Sequence, residues 1–86
     1  MSFSPPNLLV FVCEHVFSRE LPILVVSHAD GDWQFLCGGD HEGQKPRIVC
    51  VSHVLGVDES LNELADLAVD EEAERKSATD AWVRLA

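Results

Sequence analysis

A polar turn followed directly by an aromatic-rich strand lies in the middle of this chain, and no other feature constrains the fold as strongly. The turn is residues 30–32, which begin Asp-Gly, and the strand is residues 33–37. Asp-Gly between two apolar runs predicts a β-hairpin, and residues 22–26 supply its first arm. Alternation along the second arm places three side chains on one face: Trp33, Phe35 and Cys37. Because the first arm is apolar on both faces, we expect this hairpin near the centre of a sheet.

Short apolar runs on both sides of the hairpin predict further strands. Residues 8–16 are rich in β-branched and aromatic side chains, and residues 47–51 form a similar run after a glycine-containing loop over residues 38–46. Residues 1–7 contain consecutive prolines and read as an extended lead-in. Residues 73–84 either continue as helix or form two short strands about residues 77–80. We favour the strands, with Trp82 covering the core.

Before Asp58 apolar side chains recur every second residue, as in a strand, whereas after it they recur every three to four residues, as in a helix. The residues that follow this helical spacing are Leu61, Leu64, Ala65 and Ala68. Asp58 is a natural N-cap, and Glu59 in the first turn suits the helix dipole. The sequence therefore predicts one α-helix over residues 58–68.

These elements predict a single α+β domain over residues 1–86, in which a mainly antiparallel sheet of four to six strands packs against one helix. The chain has 86 residues, of which 47% are apolar, so it supplies material for one core. This apolar content argues against disorder. The core is predicted to contain nine side chains: Leu9, Phe11, Ile23, Val25, Phe35, Ile48, Leu61, Leu64 and Trp82.

The charge is strongly acidic and unevenly distributed. The chain carries a formal net charge of −9, and the stretch from Asp58 to Glu74 holds eight acidic residues and no Lys or Arg. Such a surface repels phosphate backbones, which argues against direct nucleic-acid binding. It attracts a basic protein and accelerates the encounter with it. The alternative is a solvated surface that keeps a small protein soluble.

The leading functional prediction is a non-enzymatic protein that acts by protein–protein interaction and needs no cofactor. Its acidic contact residues are expected to be Glu63, Asp66, Glu71 and Glu72. Trp33, at the start of its strand, is either a core residue that is partly exposed at the turn or the aromatic anchor of the interface. The sequence does not distinguish a monomer from a homodimer.

Cysteine and histidine suggest an alternative, a small zinc-binding module. Cys13 and His15 are two residues apart, so a strand places them on one face. Cys50 and His53 share a face if the backbone there is helical. Two thiolates and two imidazoles form a tetrahedral zinc ligand set. A Cys-x-x-Cys knuckle is absent, however, and ordinary core packing of the cysteines is the competing interpretation.

A third hypothesis is a hydrolase that uses Cys37 as nucleophile and His41 as base. Gly38 and Gly39 follow the cysteine, and their amides are suited to an oxyanion. A chain of 86 residues leaves little room for a substrate cleft, and no third group orients the imidazole. The competing interpretation is that the glycines only allow positive φ at a strand end.

The expected location is the cytoplasm. The three cysteines are odd in number and form no dense disulfide pattern, which favours a reducing compartment. The N-terminal residues lack the basic segment of a signal peptide, and the apolar run over residues 8–13 is too short to span a membrane.

Three short motifs occur in this order: Asp-Gly-Asp-Trp-Gln-Phe-Leu-Cys-Gly-Gly at residues 30–39, residues 57–61, and residues 73–75 ahead of Trp82. Together they resemble a family of small bacterial domains of unknown function that are similar to immunity proteins of polymorphic toxin systems. The match covers roughly residues 12–84. Asp32 is inserted before the tryptophan, Glu59 replaces a proline, and the glycine expected after the helix is missing at residues 69–70. The resemblance implies a small antiparallel sheet with a helix and toxin neutralisation by binding, and it implies no catalytic residue.

Overall fold

A computed structural model describes residue 3, residues 7–39 and residues 46–85 of the chain. Within these residues six strands form one sheet in the order β4-β1-β3-β2-β5-β6. The strands are β1 (Leu9–Val12), β2 (Val25–Ser27), β3 (Gln34–Leu36), β4 (Arg47–Cys50), β5 (Glu72–Glu74) and β6 (Val83–Leu85). All neighbours are antiparallel except β1 and β3, which are parallel. The predicted α+β class with a mainly antiparallel sheet is confirmed.

The predicted central hairpin forms, but its first arm begins at Val25 instead of residue 22 and its second arm is shorter, covering Gln34–Leu36. β2 and β3 pair in antiparallel register, with Val26 opposite Phe35. The connection contains a 3-10 turn, Ala29–Gly31, in which Asp30 (φ 53°) and Gly31 (φ 84°) both adopt the left-handed conformation. Aspartate tolerates this conformation better than most residues, and glycine adopts it without steric cost. The Asp-Gly pair therefore determines how the chain reverses.

The α-helix predicted over residues 58–68 is wrong in type and length, because this range holds a shorter 3-10 helix. The chain instead forms α1 (Glu14–Phe17), α2 (Val51–Val57) and, after α2, a 3-10 helix at Glu59–Leu64. Asp58 does act as an N-cap, because its carboxylate accepts a 3.0 Å hydrogen bond from the Ser60 amide. A 3-10 helix repeats every three residues, so Leu61 and Leu64 fall on one side, and both are buried as expected. The apolar spacing correctly predicted that Leu61 and Leu64 are buried, but it incorrectly predicted an α-helix where the chain forms a 3-10 helix.

Strand β1 is shorter than predicted and presents the opposite face to the core. It ends at Val12, and Cys13 is the N-cap of α1. Val10 and Val12 are fully buried, whereas Leu9 is 65% exposed and Phe11 is half-buried. Both alternating sets of this strand are apolar, so alternation alone does not show which set faces inward.

The partner strand β4 follows the same register. Ile48 lies opposite Phe11 and is 59% exposed, so the prediction that Leu9 and Ile48 are core residues is wrong. The strand also ends one residue earlier than predicted, at Cys50, and Val51 begins α2.

One face of the sheet is covered and forms the core. Its central residues Val10, Val12, Val26, Phe35 and Ala73 are all fully buried. The core cluster also contains Val51 and Val54 of α2 and the two leucines of the 3-10 helix. Among the predicted core residues, Ile23, Phe35, Leu61 and Leu64 are buried, and Val25 and Trp82 are half-buried.

The C-terminal segment forms the two short strands favoured from the sequence. β5 and β6 pair in antiparallel register, with Ala73 opposite Arg84. Between them the Asp80 amide donates a 3.1 Å hydrogen bond to the Ser77 carbonyl, which closes a turn.

Arg75, which follows β5, joins distant parts of the chain through a buried guanidinium. Its Nε and Nη2 donate to the Ile23 carbonyl at 3.0 and 2.8 Å, and Nη2 also pairs with the Asp58 carboxylate. Nη1 donates to the Ser60 hydroxyl at 3.2 Å, and Trp82 Nε1 donates to the same hydroxyl at 3.1 Å. The guanidinium carbon lies 4.2 Å from the centre of the Trp82 ring, a cation–π distance. We call these five residues the Arg75 network.

Removing the Arg75 side chain is expected to destabilise the fold strongly. Arg75→Ala leaves the Ile23 carbonyl without its side-chain donors and the Asp58 carboxylate without its ionic partner, although Ser60 still donates to that carboxylate. Because the Asp58 side chain is partly exposed, we expect a loss of about 3 kcal/mol, the lower end of the range for breaking a buried ion pair. Urea unfolding measures the change, with the exposed neighbour variant Lys76→Ala as control at about 0.5 kcal/mol or less. Equal effects of the two variants would contradict a structural role for the network.

The network also predicts how stability depends on pH. Burial raises the pKa of the Asp58 carboxyl, but hydrogen bonds from Ser60 and Arg75 outweigh it and bring the pKa below its ordinary value of 3.8. A lowered pKa in the folded state contributes stability above pH 3.8 that is lost as the pH falls through the lower, folded value.

The difference in free energy of unfolding between the wild type and Asp58→Asn is therefore expected to be largest at neutral pH. It should shrink as the pH falls below 3.8. Urea unfolding at several pH values measures it, with the exposed variant Glu20→Gln as the control for general charge effects. A difference that stays constant down to the lowest pH would refute this assignment.

Candidate functional site

Two cysteines and one histidine meet at the end of two neighbouring strands. Cys13 follows the last residue of β1, and Cys37 follows the last residue of β3. Because β1 and β3 are parallel neighbours, their carboxyl ends lie at the same edge of the sheet. α1 begins there and adds His15 as its second residue. We call Cys13, His15 and Cys37 the Cys-His-Cys cluster.

The three side chains are close enough to act together. One potential ligand atom from each residue lies within 4.8 Å of the other two. His15 Nδ1 is 3.5 Å from Cys37 Sγ, and the Gly39 amide donates to the same sulfur at 3.5 Å. Both cysteines are buried and His15 is half-buried. The arrangement offers two sulfur atoms and an imidazole in a largely water-excluded position.

The cluster contains only two of the four predicted zinc ligands. It includes Cys13 and His15, whereas Cys50 and His53 are not part of it. Cys50 lies opposite Leu9, the first residue of β1, because β4 runs antiparallel to β1. Cys13 follows the other end of β1. It is four residues from Leu9, which corresponds to about 13 Å along the strand at about 3.3 Å per residue. The four residues therefore do not form one site.

His53 has a different environment. Its ring stacks against Phe17, with the ring centres 6.4 Å apart. His53 Nε2 is buried without a hydrogen-bond partner among the described residues. The ring thus contributes to packing between α1 and α2.

Of the two residues of the predicted hydrolase site, Cys37 is described by the structure and His41 lies outside the described residues. Burial raises the pKa of the Cys37 thiol above its ordinary value of 9.0. A cysteine nucleophile reacts as the thiolate, so the direction of this shift disfavours nucleophilic catalysis.

Trp33 is a core residue, which confirms the core interpretation, although it is buried rather than partly exposed at the turn. Its burial argues against a role as the aromatic anchor of an interface. Trp33 is 8% exposed. His28 stacks on its ring with a centre-to-centre distance of 3.9 Å, and Phe3 contacts it edge-on at 4.7 Å. The 3-10 turn before Trp33 directs the ring into the core, where these aromatic side chains cover it.

The four acidic residues singled out from the sequence have different surroundings. Arg84 pairs with Asp66 at 2.5 Å and also donates to the Glu63 carbonyl at 2.8 Å. Glu71 accepts a 2.7 Å hydrogen bond from the Ala68 amide. Glu72 is an exposed residue of β5. Asp66 and Glu71 thus have local partners, whereas Glu72 projects from the sheet.

On its second face the sheet is largely apolar, and no described helix packs over it; sequence reasoning missed this face. We call the strand residues on the side opposite the core the open face. Its exposed apolar residues are Leu9, Ile48 and Val83, at 65%, 59% and 57% exposure. Its half-buried apolar residues are Phe11, Val25, Leu36 and Leu85. The sequence feature that indicates this exposed apolar face is that β1 has apolar side chains on both of its faces.

Strand pairing determines which open-face residues are neighbours. Ile48 lies opposite Phe11 on one side of the sheet, and Val25 lies opposite Leu36 near its centre. On the next strand, β5, Glu72 lies opposite Ser27 and Glu74 lies opposite Val25, so both glutamates are on the open face. Among the described strand residues of the open face, these two glutamates carry charge and none is basic. The open face is therefore an apolar surface with an acidic stripe.

A shallow depression of about 450 Å³ adjoins the turn between β5 and β6. Glu74, Arg75, Lys76, Asp80, Ala81 and Val83 line it. Glu74 and Val83 belong to the open face, so the depression continues that surface at its β6 end.

Comparison with protein-family models, curated proteins and solved structures found no match. Among the described residues, no helix is both long enough and apolar enough to cross a bilayer.

Proposed function

We propose that this protein is a binding module whose contact surface is the open face, and that its partner is a protein with basic side chains beside an apolar patch. The observation that carries the proposal is the difference between the two faces of the sheet. One face has fully buried valines, whereas the other exposes Leu9, Ile48 and Val83. Leu9 and Ile48 lie on the neighbouring strands β1 and β4, and the half-buried Phe11, Leu36 and Val25 extend the apolar surface toward the centre of the sheet. Exposed apolar patches on small proteins are typical of interaction sites.

The open face is wide enough for a protein contact. Six strands at about 4.8 Å spacing span about 24 Å from β4 to β6. Among the described strand residues of this face Phe11 is the aromatic one, and it lies between Ile48 on β4 and Gln34 on β3. It takes the role that the sequence suggested for Trp33, since aromatic side chains near the centre of an interface contribute much of the binding energy.

The charge on this face specifies the partner. Glu72 and Glu74 are both exposed, and a partner that covers them without cations leaves their carboxylates desolvated and unpaired. Lys or Arg beside the partner's apolar patch satisfies them. The net charge of −9 also increases the rate of encounter with a basic protein.

The same charges disfavour other occupants. Two copies of the chain stacked through their open faces bring together two acidic stripes and two net charges of −9. An anionic bilayer surface repels this face, because such surfaces attract basic segments. A phosphate backbone is repelled for the same reason. A basic protein is the partner that matches both the apolar and the acidic part of the surface.

The immunity-like role implied by the sequence resemblance is one instance of this proposal, with a basic toxin as the partner. Asp58, Arg75 and Trp82, which belong to the motifs behind the resemblance, lie in the Arg75 network and stabilise the fold. The resemblance therefore supports the architecture on which the open face is built, and the binding argument rests on the open face itself.

Peptides selected from a random display library on the immobilised protein test the chemistry of the surface. We expect the selected peptides to combine apolar residues with Lys or Arg. Replacing the exposed apolar side chain in Ile48→Asp is expected to weaken their binding about tenfold or more, since about 1.4 kcal/mol of lost contact corresponds to tenfold. Fluorescence anisotropy with a labelled peptide measures the dissociation constant.

Two matched double variants test the location. Glu72→Lys/Glu74→Lys reverses the stripe on the open face and is expected to weaken binding by about tenfold. Glu59→Lys/Glu63→Lys makes the same change in net charge on the 3-10 helix that packs on the covered face, and is expected to weaken binding by about threefold or less. Equal losses in the two variants, or selected peptides without basic residues, would refute the proposal.

A further inference from the structure

We propose that the Cys-His-Cys cluster binds a thiophilic transition-metal ion, with Zn²⁺ as the principal candidate, through Cys13 Sγ, Cys37 Sγ and a ring nitrogen of His15. This site differs from the one expected from the sequence, because Cys37 takes part and Cys50 and His53 do not. It is also independent of the open face, because its residues follow the ends of strands β1 and β3.

The donor set determines the class of metal. Two thiolates and an imidazole are soft to borderline ligands, which select zinc and related ions over magnesium or calcium. Zinc completes its four-coordination with a ligand from outside these three side chains.

The distances fit a tetrahedral ion. Zinc–sulfur and zinc–nitrogen bonds of about 2.3 and 2.0 Å at tetrahedral angles separate neighbouring ligand atoms by about 3.5–3.8 Å. His15 Nδ1 and Cys37 Sγ are 3.5 Å apart. The ligand atoms of the cluster lie within 4.8 Å of one another, so closing around an ion requires movements of about 1 Å, which side-chain rotation provides.

The surroundings of the cluster support a bound thiolate. The Gly39 amide donates to Cys37 Sγ at 3.5 Å, and such backbone donors orient and stabilise metal-bound sulfur. Cys13 and Cys37 are each 5% exposed, and the parallel pairing of β1 with β3 determines their separation. The site therefore lies on paired strand ends rather than on long surface loops.

Metal titration of the full chain under reducing conditions tests the proposal. Co²⁺ is expected to bind with one equivalent and to give a thiolate-to-cobalt charge-transfer band together with the visible bands of tetrahedral cobalt. Zn²⁺ is expected to displace it, and competition with a chromophoric chelator gives the zinc affinity. Absence of the charge-transfer band would overturn the proposal.

Matched variants locate the ligands. Removing a residue that only hydrogen-bonds to a metal ligand lowers metal affinity by about 10- to 100-fold. Cys37→Ala and Cys13→Ala each remove a ligand itself, so each is expected to lower zinc affinity by more than about 100-fold. Cys50→Ala removes the same atoms from an exposed position and is expected to change the affinity by about twofold or less, since Cys50 lies outside the cluster. Equal losses in Cys37→Ala and Cys50→Ala would overturn the proposal.

The imidazole is tested by a variant that disturbs the core less. His15→Ala removes a half-buried ring, and far-ultraviolet circular dichroism verifies its fold. We expect it to lower zinc affinity more than about 100-fold and to blue-shift the cobalt bands, with His53→Ala as the control. Unchanged affinity and unchanged cobalt bands in His15→Ala would exclude the assigned ligand set, even where the buried cysteine variants fail to fold.

Discussion

The buried guanidinium of Arg75 holds together segments that the sheet alone does not join. It contacts the Ile23 carbonyl ahead of β2, the Asp58 carboxylate at the end of α2, and the Trp82 ring ahead of β6. The net contribution of a buried ion pair to stability is small, because desolvation offsets much of its attraction, but removing one partner is costly. Here it fixes the segment after α2 against the covered face. The 3-10 helix packs on that face, where Leu61 and Leu64 are buried.

The sequence correctly predicted those parts of the fold that depend on interactions between residues close together in the chain. The Asp-Gly pair reverses the chain between β2 and β3, and Asp58 caps the helix that follows it. The face of β1 was not predictable in this way, because Leu9 and Phe11 are as apolar as Val10 and Val12. The choice depends on which side the helical segments cover, and the Arg75 network helps to hold the 3-10 segment on that side through contacts between residues far apart in sequence.

The Cys-His-Cys cluster shows the same limit at the level of a site. Cys13 and His15 are close in sequence and were recognised together, whereas Cys37 joins them through the parallel pairing of β1 and β3. Parallel neighbours are the exception in this sheet, and a hairpin-based interpretation does not predict them. The usable signal was that Cys13 and Cys37 each end an apolar run that forms a strand. Strand ends are where a fold brings together side chains that are distant in sequence.

The central claim is that one face of the sheet is buried and that the other exposes Leu9, Ile48 and Val83. Solvent paramagnetic relaxation enhancement tests it directly. With a soluble gadolinium chelate and methyl-labelled protein, we predict strong relaxation of the methyl groups of Leu9, Ile48 and Val83. The methyl groups of Val10, Val12 and Val26, which are 0% exposed, should be little affected. Strong protection of Leu9 and Ile48 with relaxation of Val10 and Val12 would contradict the account, because it would mean that the other face is buried.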